Sequence, residues 1–167
     1  MNGEPLPVKH GFPARLVIAG LYGYVSATKW VTELEATTFA AYDAYWVPRG
    51  WSQQAPIKTE SRIDVPRGNS TIAAGTVWVA GVAWAPTRGI RTVEVQVDGG
   101  EWHPAQLAAA ISKETWRQWL YRWEATSGTH ALRVRATDAT GNRQDGRDTP
   151  PPPNGATGYH TVFVTVA

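Results

Sequence analysis

The chain has 167 residues, 43% of them apolar and only 18% charged, with nine tryptophans, so it can bury a substantial core and does not read as disordered. Its formal charge of +2 comes without any Lys/Arg cluster, which argues against nucleic acid as a partner despite a pI near 9.0. With no cysteine, disulfides, thiolate metal sites and cysteine nucleophiles are excluded together and the redox compartment is unreadable; no signal peptide or bilayer-spanning apolar stretch is legible.

Residues 1–7 (MNGEPLP) read as a turn-rich connector with no opening element of its own. Residues 10–30, HGFPARLVIAGLYGYVSATKW, set Gly11, Pro13, Gly20 and Gly23 around three possible anion ligands, His10, Arg15 and Lys29. Residue chemistry alone leaves two readings open. The cations converge on something phosphate-like, or they are the solvated ends of a short apolar run, Leu16, Val17 and Ile18. A strand is predicted over 15–18, and a loop over 20–26 whose two glycines permit positive φ and close backbone approach. A strand over 29–36 and a short helical turn over 40–46 follow, before Pro48-Arg49-Gly50-Trp51 closes the segment.

From residue 56 the pattern changes to short strands. Ile57, Thr59, Ser61 and Ile63 alternate with polar residues, as on a sheet edge, up to Pro66. Residues 77–84 are nearly continuously apolar, as a central strand is. Val93, Val95 and Val97 lead into Asp98-Gly99-Gly100, the strongest hairpin signal of the chain. Trp119, Tyr121 and Trp123 share one face of the next strand, and Leu132, Val134 and Ala136 one face of another, which ends in the turn Asp138-Ala-Thr-Gly-Asn. A Pro-rich loop over 149–155 precedes a closing strand over 159–166. This spacing predicts an all-β, immunoglobulin-like sandwich. The aromatic stripe Trp116, Trp119, Tyr121, Trp123 reads as core or as a contact surface, and mixed use is expected. His103, His130 and His160 lack the spacing of a metal set and read as structural or exposed. No carboxylate pair and no Ser/His/Asp arrangement suggests catalysis.

The run HGFPARLVIAGLYGYVSATKW closely resembles the end of the molybdopterin-binding domain in the sulfite oxidase family of molybdenum enzymes. Later blocks, YWVPRGW, IKTESRIDVP, GVAWAP, RGIRTVEVQVDGGEW, TWRQWLYRWEA and HALRVRATDATGNRQ, resemble the same family's C-terminal dimerisation domain. The family pattern has Pro-Gly where this chain has Ala19-Gly20; the glycine that shapes the turn is kept. The resemblance implies residues 1–55 as the C-terminal remnant of the cofactor domain and 56–167 as an immunoglobulin-like (E-set type) dimerisation domain.

It also implies a role for the open cations. Arg15 would offer a planar fork to the pterin phosphate, Lys29 a point charge, His10 an N–H donor and Ser26 a hydroxyl, with no residue of this chain as a chemical catalyst. Tyr22 and Tyr24 are read as packing. The family holds molybdenum through a cysteine thiolate, which this chain cannot supply. The expectation is therefore the C-terminal portion of a longer molybdopterin-dependent oxidoreductase, begun at an internal methionine and inactive alone. Further expectations are a homodimer through the sandwich, an upstream cofactor domain and an unidentified electron-transfer partner. Any anchor or export signal would lie upstream, so compartment and substrate are unreadable. The rival reading is a free-standing immunoglobulin-like module whose exposed tryptophans grip a carbohydrate or a protein.

Overall fold

The structure, a computed structural model, describes residues 3–167, so the first two residues of the expected connector lie outside it. The chain divides into two compact units: residues up to Ile57 with Pro150–Ala156, and Lys58–Thr149 with Thr157–Ala167.

The first unit is poor in regular structure because glycines and prolines interrupt every apolar run. Its elements are a 3₁₀ turn at Val8–His10, β1 (Arg15–Val17), a single helical turn α1 (Gly23–Ser26), β2 (Ala27–Lys29) and a second 3₁₀ turn at Val47–Arg49. Three expectations are corrected here. The strand expected over 29–36 is instead β2, which pairs antiparallel with β1 and stops at Lys29. Trp30 takes a left-handed φ of 53°, which breaks the extended ladder, and residues 31–38 carry no regular structure. The loop over 20–26 contains α1, so only Gly20 (φ 81°) uses positive φ. The helical turn expected over 40–46 lies at Val47–Arg49, where Pro48 suits the first turn and Gly50 (φ 90°) ends it.

The second unit is the sandwich. Its strands are β3 (Glu60–Val65), β4 (Ser70–Ile72), β5 (Gly75–Trp84), β6 (Ile90–Val97), β7 (Trp102–Pro104), β8 (Gln106–Leu107), β9 (Arg117–Ala125), β10 (Gly128–Asp138) and β11 (Thr161–Val166). They form a five-stranded sheet, β4-β11-β10-β6-β7, and a four-stranded sheet, β3-β5-β9-β8. All neighbours pair antiparallel except β4 with β11. The expected edge strand is the edge (β3), and the expected central strand (β5) lies between β3 and β9.

Period-two alternation places the core. Val93, Val95, Leu132, Val134, Ala136 and Val164 meet Val79, Trp119 and Trp123 between the sheets, all buried. Each large aliphatic side chain so buried contributes about 1.5–3 kcal/mol. The stripe divides as expected in part: Trp119 and Trp123 lie in the core, while Trp116 is half-exposed. Gly81 interrupts the apolar run of β5 for a steric reason. A Cβ there would lie 1.9 Å from the Arg62 carbonyl oxygen and 3.0 Å from the Trp119 ring, so only glycine lets β3 approach.

A polar knot centred on Asp138 is buried in this unit. Asp138, at the end of β10, accepts hydrogen bonds from Arg88 Nε (2.9 Å), Thr59 Oγ1 (3.0 Å), Thr140 N (3.0 Å), Thr140 Oγ1 (2.7 Å) and Asn142 N (3.0 Å). Burial pushes its carboxyl up, but those donors outweigh it and hold the pKa down to about 2. The turn predicted from Asp138-Ala-Thr-Gly-Asn is thus tied to Thr59, just before β3, and to Arg88 in the loop before β6.

Candidate cofactor-binding site

The site is built on the short β1–β2 pair, whose register sets Arg15 directly opposite Lys29. Side chains opposed in this way start about 4.5–5.5 Å apart, and like charges so placed destabilise the pair unless something negative lies between or beyond them. Among the described residues no carboxylate forms an ion pair with either cation. Two cations held side by side and left uncompensated are an anion receptor in chemical terms.

Their orientation comes from the preceding turn. Three successive carbonyls of Val8–His10 each receive a donor from the β1–β2 pair or its end. Trp30 Nε1 donates to Val8 O (2.9 Å), Lys29 Nζ to Lys9 O (2.9 Å) and Arg15 Nη1 to His10 O (3.4 Å). His10 N and Gly11 N close the turn on Pro7 O (2.8 Å) and Val8 O (3.1 Å). Gly11 is required for this approach: at φ 120° a Cβ would sit 3.0 Å from Arg15 Cβ. Each cation uses one donor on the turn, and the guanidinium retains up to four more and the ammonium two. Both side chains are exposed, so those donors face outward.

The four expected ligands divide. Arg15, Lys29 and His10 are brought together around the turn, with His10 exposed at its end. Ser26 is not directed outward. It is 3% exposed and its Oγ donates to Leu21 O (3.0 Å), fastening the loop after β1 from inside. Tyr24 packs on Trp51 (4.6 Å between centroids) and donates to Ser52 O (3.1 Å) and Pro153 O (3.3 Å); its burial raises the phenol pKa. Trp30 was not singled out from the sequence. Its role as the third donor to the turn depends on its left-handed backbone, for which the residue itself carries no local signal. No group of three or more His, Cys, Asp or Glu among the described residues has the geometry to hold a metal ion.

The family model for the oxidoreductase molybdopterin binding domain matches residues 1–46, and that for a bacterial Ig domain matches residues 60–134. Human mitochondrial sulfite oxidase is 29% identical over 157 residues, covering 80% of this chain and 28% of that protein. Sulfite oxidase of Arabidopsis thaliana is 28% identical over 174 residues, covering 86% of this chain and 44% of that protein. Among solved structures, the sulfane dehydrogenase SoxCD from Paracoccus pantotrophus is similar over 98% of this chain and 46% of its own, with a TM-score of 0.77 at 26% identity. The chain therefore spans less than half the length of these relatives. Together the matches make residues 1–46 similar to a molybdopterin-binding domain and most of the chain similar to the C-terminal part of sulfite oxidases.

Proposed function

We propose that this chain forms one wall of the pterin pocket, and the sandwich domain, of a sulfite-oxidase-like molybdenum enzyme. The observation that carries the reading is the Arg15–Lys29 pair, two uncompensated cations in register within the segment that matches the molybdopterin-binding domain. The donor set fits the phosphate end of the cofactor. Arg15 supplies a fork, Lys29 a point charge and His10 a further N–H from the turn, while Ser26 acts from beneath by holding the loop. The metal end finds no match here, because no cysteine is present. When bound, the cofactor supplies the two-electron chemistry, and these residues bind and orient it.

The half-open apolar side chains of residues 30–46, among them Leu34, Phe39, Tyr42 and Tyr45, fit this reading, since a cofactor domain would cover them. The test is retention of molybdopterin released from a molybdenum enzyme, followed by pterin fluorescence anisotropy on the full chain. Arg15→Gln and Lys29→Gln should each weaken retention about tenfold or more, the loss of one charge-assisted hydrogen bond. Equal retention by the variants would overturn the assignment. The chain alone should show no sulfite-dependent reduction of an acceptor even with cofactor in excess, and turnover would refute the inactivity.

A further inference from the structure

Far along the chain from the pterin-site residues, the sandwich unit carries a cleft of about 360 Å³. It opens between the end of β3, the turn at residues 66–69 and the start of β11, and all of its lining comes from this one unit. Its construction begins with an edge problem. The Ile63 amide of the edge strand β3 donates to His160 Nδ1 (3.0 Å) rather than to another strand. That bond makes Nδ1 the acceptor and so places the ring proton on Nε2. Burial and the nearby Arg62 charge, partly offset by Asp64, lower the His160 pKa, which keeps the ring neutral in this tautomer.

Besides His160, the polar side chains of the lining are Arg67, Asn69, Thr161 and Asp64, and Thr161 Oγ1 is already engaged with Tyr159 O (3.2 Å). Arg67 stands in the turn with no carboxylate in an ion pair with it among the described residues. Asn69, at φ 61°, gives its backbone N–H to Phe163 O (2.6 Å), and among the described residues no bond engages its side-chain amide. The single carboxylate, Asp64, is held by Arg62 Nε (2.7 Å) and Nη2 (3.4 Å), which neutralises it. Phe163, itself half-exposed, supplies an apolar side to the cleft.

We propose that this cleft binds a small inorganic oxyanion, sulfate or phosphate in class, through Arg67, Asn69 and the Nε2–H of His160. The cation supplies the charge and the two neutral donors supply direction, a combination that suits a compact oxyanion better than a bare halide.

The experiment is a titration of the full chain with sodium sulfate and separately with sodium phosphate, read by amide and imidazole NMR shifts, with sodium chloride at matched ionic strength as control. Saturable shifts confined to Gly68, Asn69 and the His160 ring, weakened about tenfold or more in Arg67→Gln, are expected. Saturation by one oxyanion alone would identify which of the two the cleft accepts. Asn69→Gly is the second variant: it removes the amide while suiting the left-handed backbone, and it too should weaken binding. Shifts that stay linear or match the chloride control would overturn the proposal, as would saturable binding unchanged in both variants. Because none of these residues belongs to the pterin site, failure here leaves that reading untouched.

Discussion

At the scale of single residues, the chain shows which side chains the sequence exposes to reasoning and which it hides. Arg15 and Lys29 stand out by type, but their meeting across β1 and β2 depends on a three-residue register that no periodicity encodes. The motif resemblance names both residues as ligands of the pterin but does not foresee their pairing. Ser26 shows the opposite case: a hydroxyl in a suggestive loop turns inward, because Leu21 O needs a donor. Asp138 gave no functional signal, yet it is the most heavily bonded carboxylate of the sandwich, with its side chain 1% exposed. Its folded pKa of about 2 lies below the ordinary value of 3.8. A depressed carboxyl contributes stability that is present above the unfolded pKa and is lost as pH falls through the folded one. Between about pH 4 and pH 2 the sandwich should therefore lose about 2 kcal/mol from this group, a loss absent in Asp138→Asn. At neutral pH, Asp138→Ala should cost about 3 kcal/mol or more, because it takes the carboxylate away from Arg88 and from four other donors. Urea unfolding of the three proteins across that pH range checks both numbers.

At the scale of elements, legibility follows locality. The β6–β7 hairpin was readable because Asp98 (φ 51°) and Gly99 (φ 73°) are the residues that a tight turn with two left-handed positions demands. β4 and β8 were not, since three and two residues carry too little pattern and β4 finds its place only by parallel pairing with distant β11. The same hairpin turn carries a charge link that the sequence did not announce. Asp98 Oδ2 lies 2.6 Å from His130 Nδ1 at the start of β10, while Asp98 Oδ1 accepts from Ala131 N (2.8 Å). The hydrogen bond to Asp98 and a second one to Thr126 O raise the His130 pKa. A raised imidazole contributes stability that is complete below its unfolded pKa and fades as pH rises through the folded one. The stability difference between the native chain and His130→Gln should thus be larger at about pH 5.5 than at about pH 8.5. Denaturant midpoints for both proteins at the two pH values measure it, and a difference independent of pH would mean that the imidazolium form adds nothing.

At the scale of the molecule, the question is what the sandwich presents to a second copy. On the four-stranded sheet, alternation turns Trp78, Ala80 and Val82 of β5 and Leu120 of β9 away from the core, with Ala80 opposite Leu120 and Trp78 opposite Arg122. Trp78 and Trp116 remain 53% and 51% exposed. Around them lie the pairs Arg62–Asp64 (2.7 Å) and Arg122–Glu124 (2.9 Å), and Arg62 stacks 5.1 Å from the Trp116 ring centroid. Apolar residues at the centre with charged pairs at the rim have the anatomy of an interface, and two copies meeting through this one face would form a twofold dimer. Exposed tryptophans would also serve a carbohydrate, so the oligomeric state separates the two. Light scattering on the full chain should give twice its 18.2 kDa across a concentration series. Trp78→Glu, which alters no core contact, should return the mass to that of one chain, because it would set a carboxylate at the centre of the apolar patch that a dimer buries. A monomer at every concentration in the unaltered chain would remove the dimer while leaving the pterin wall standing, since Arg15 and Lys29 belong to the other unit.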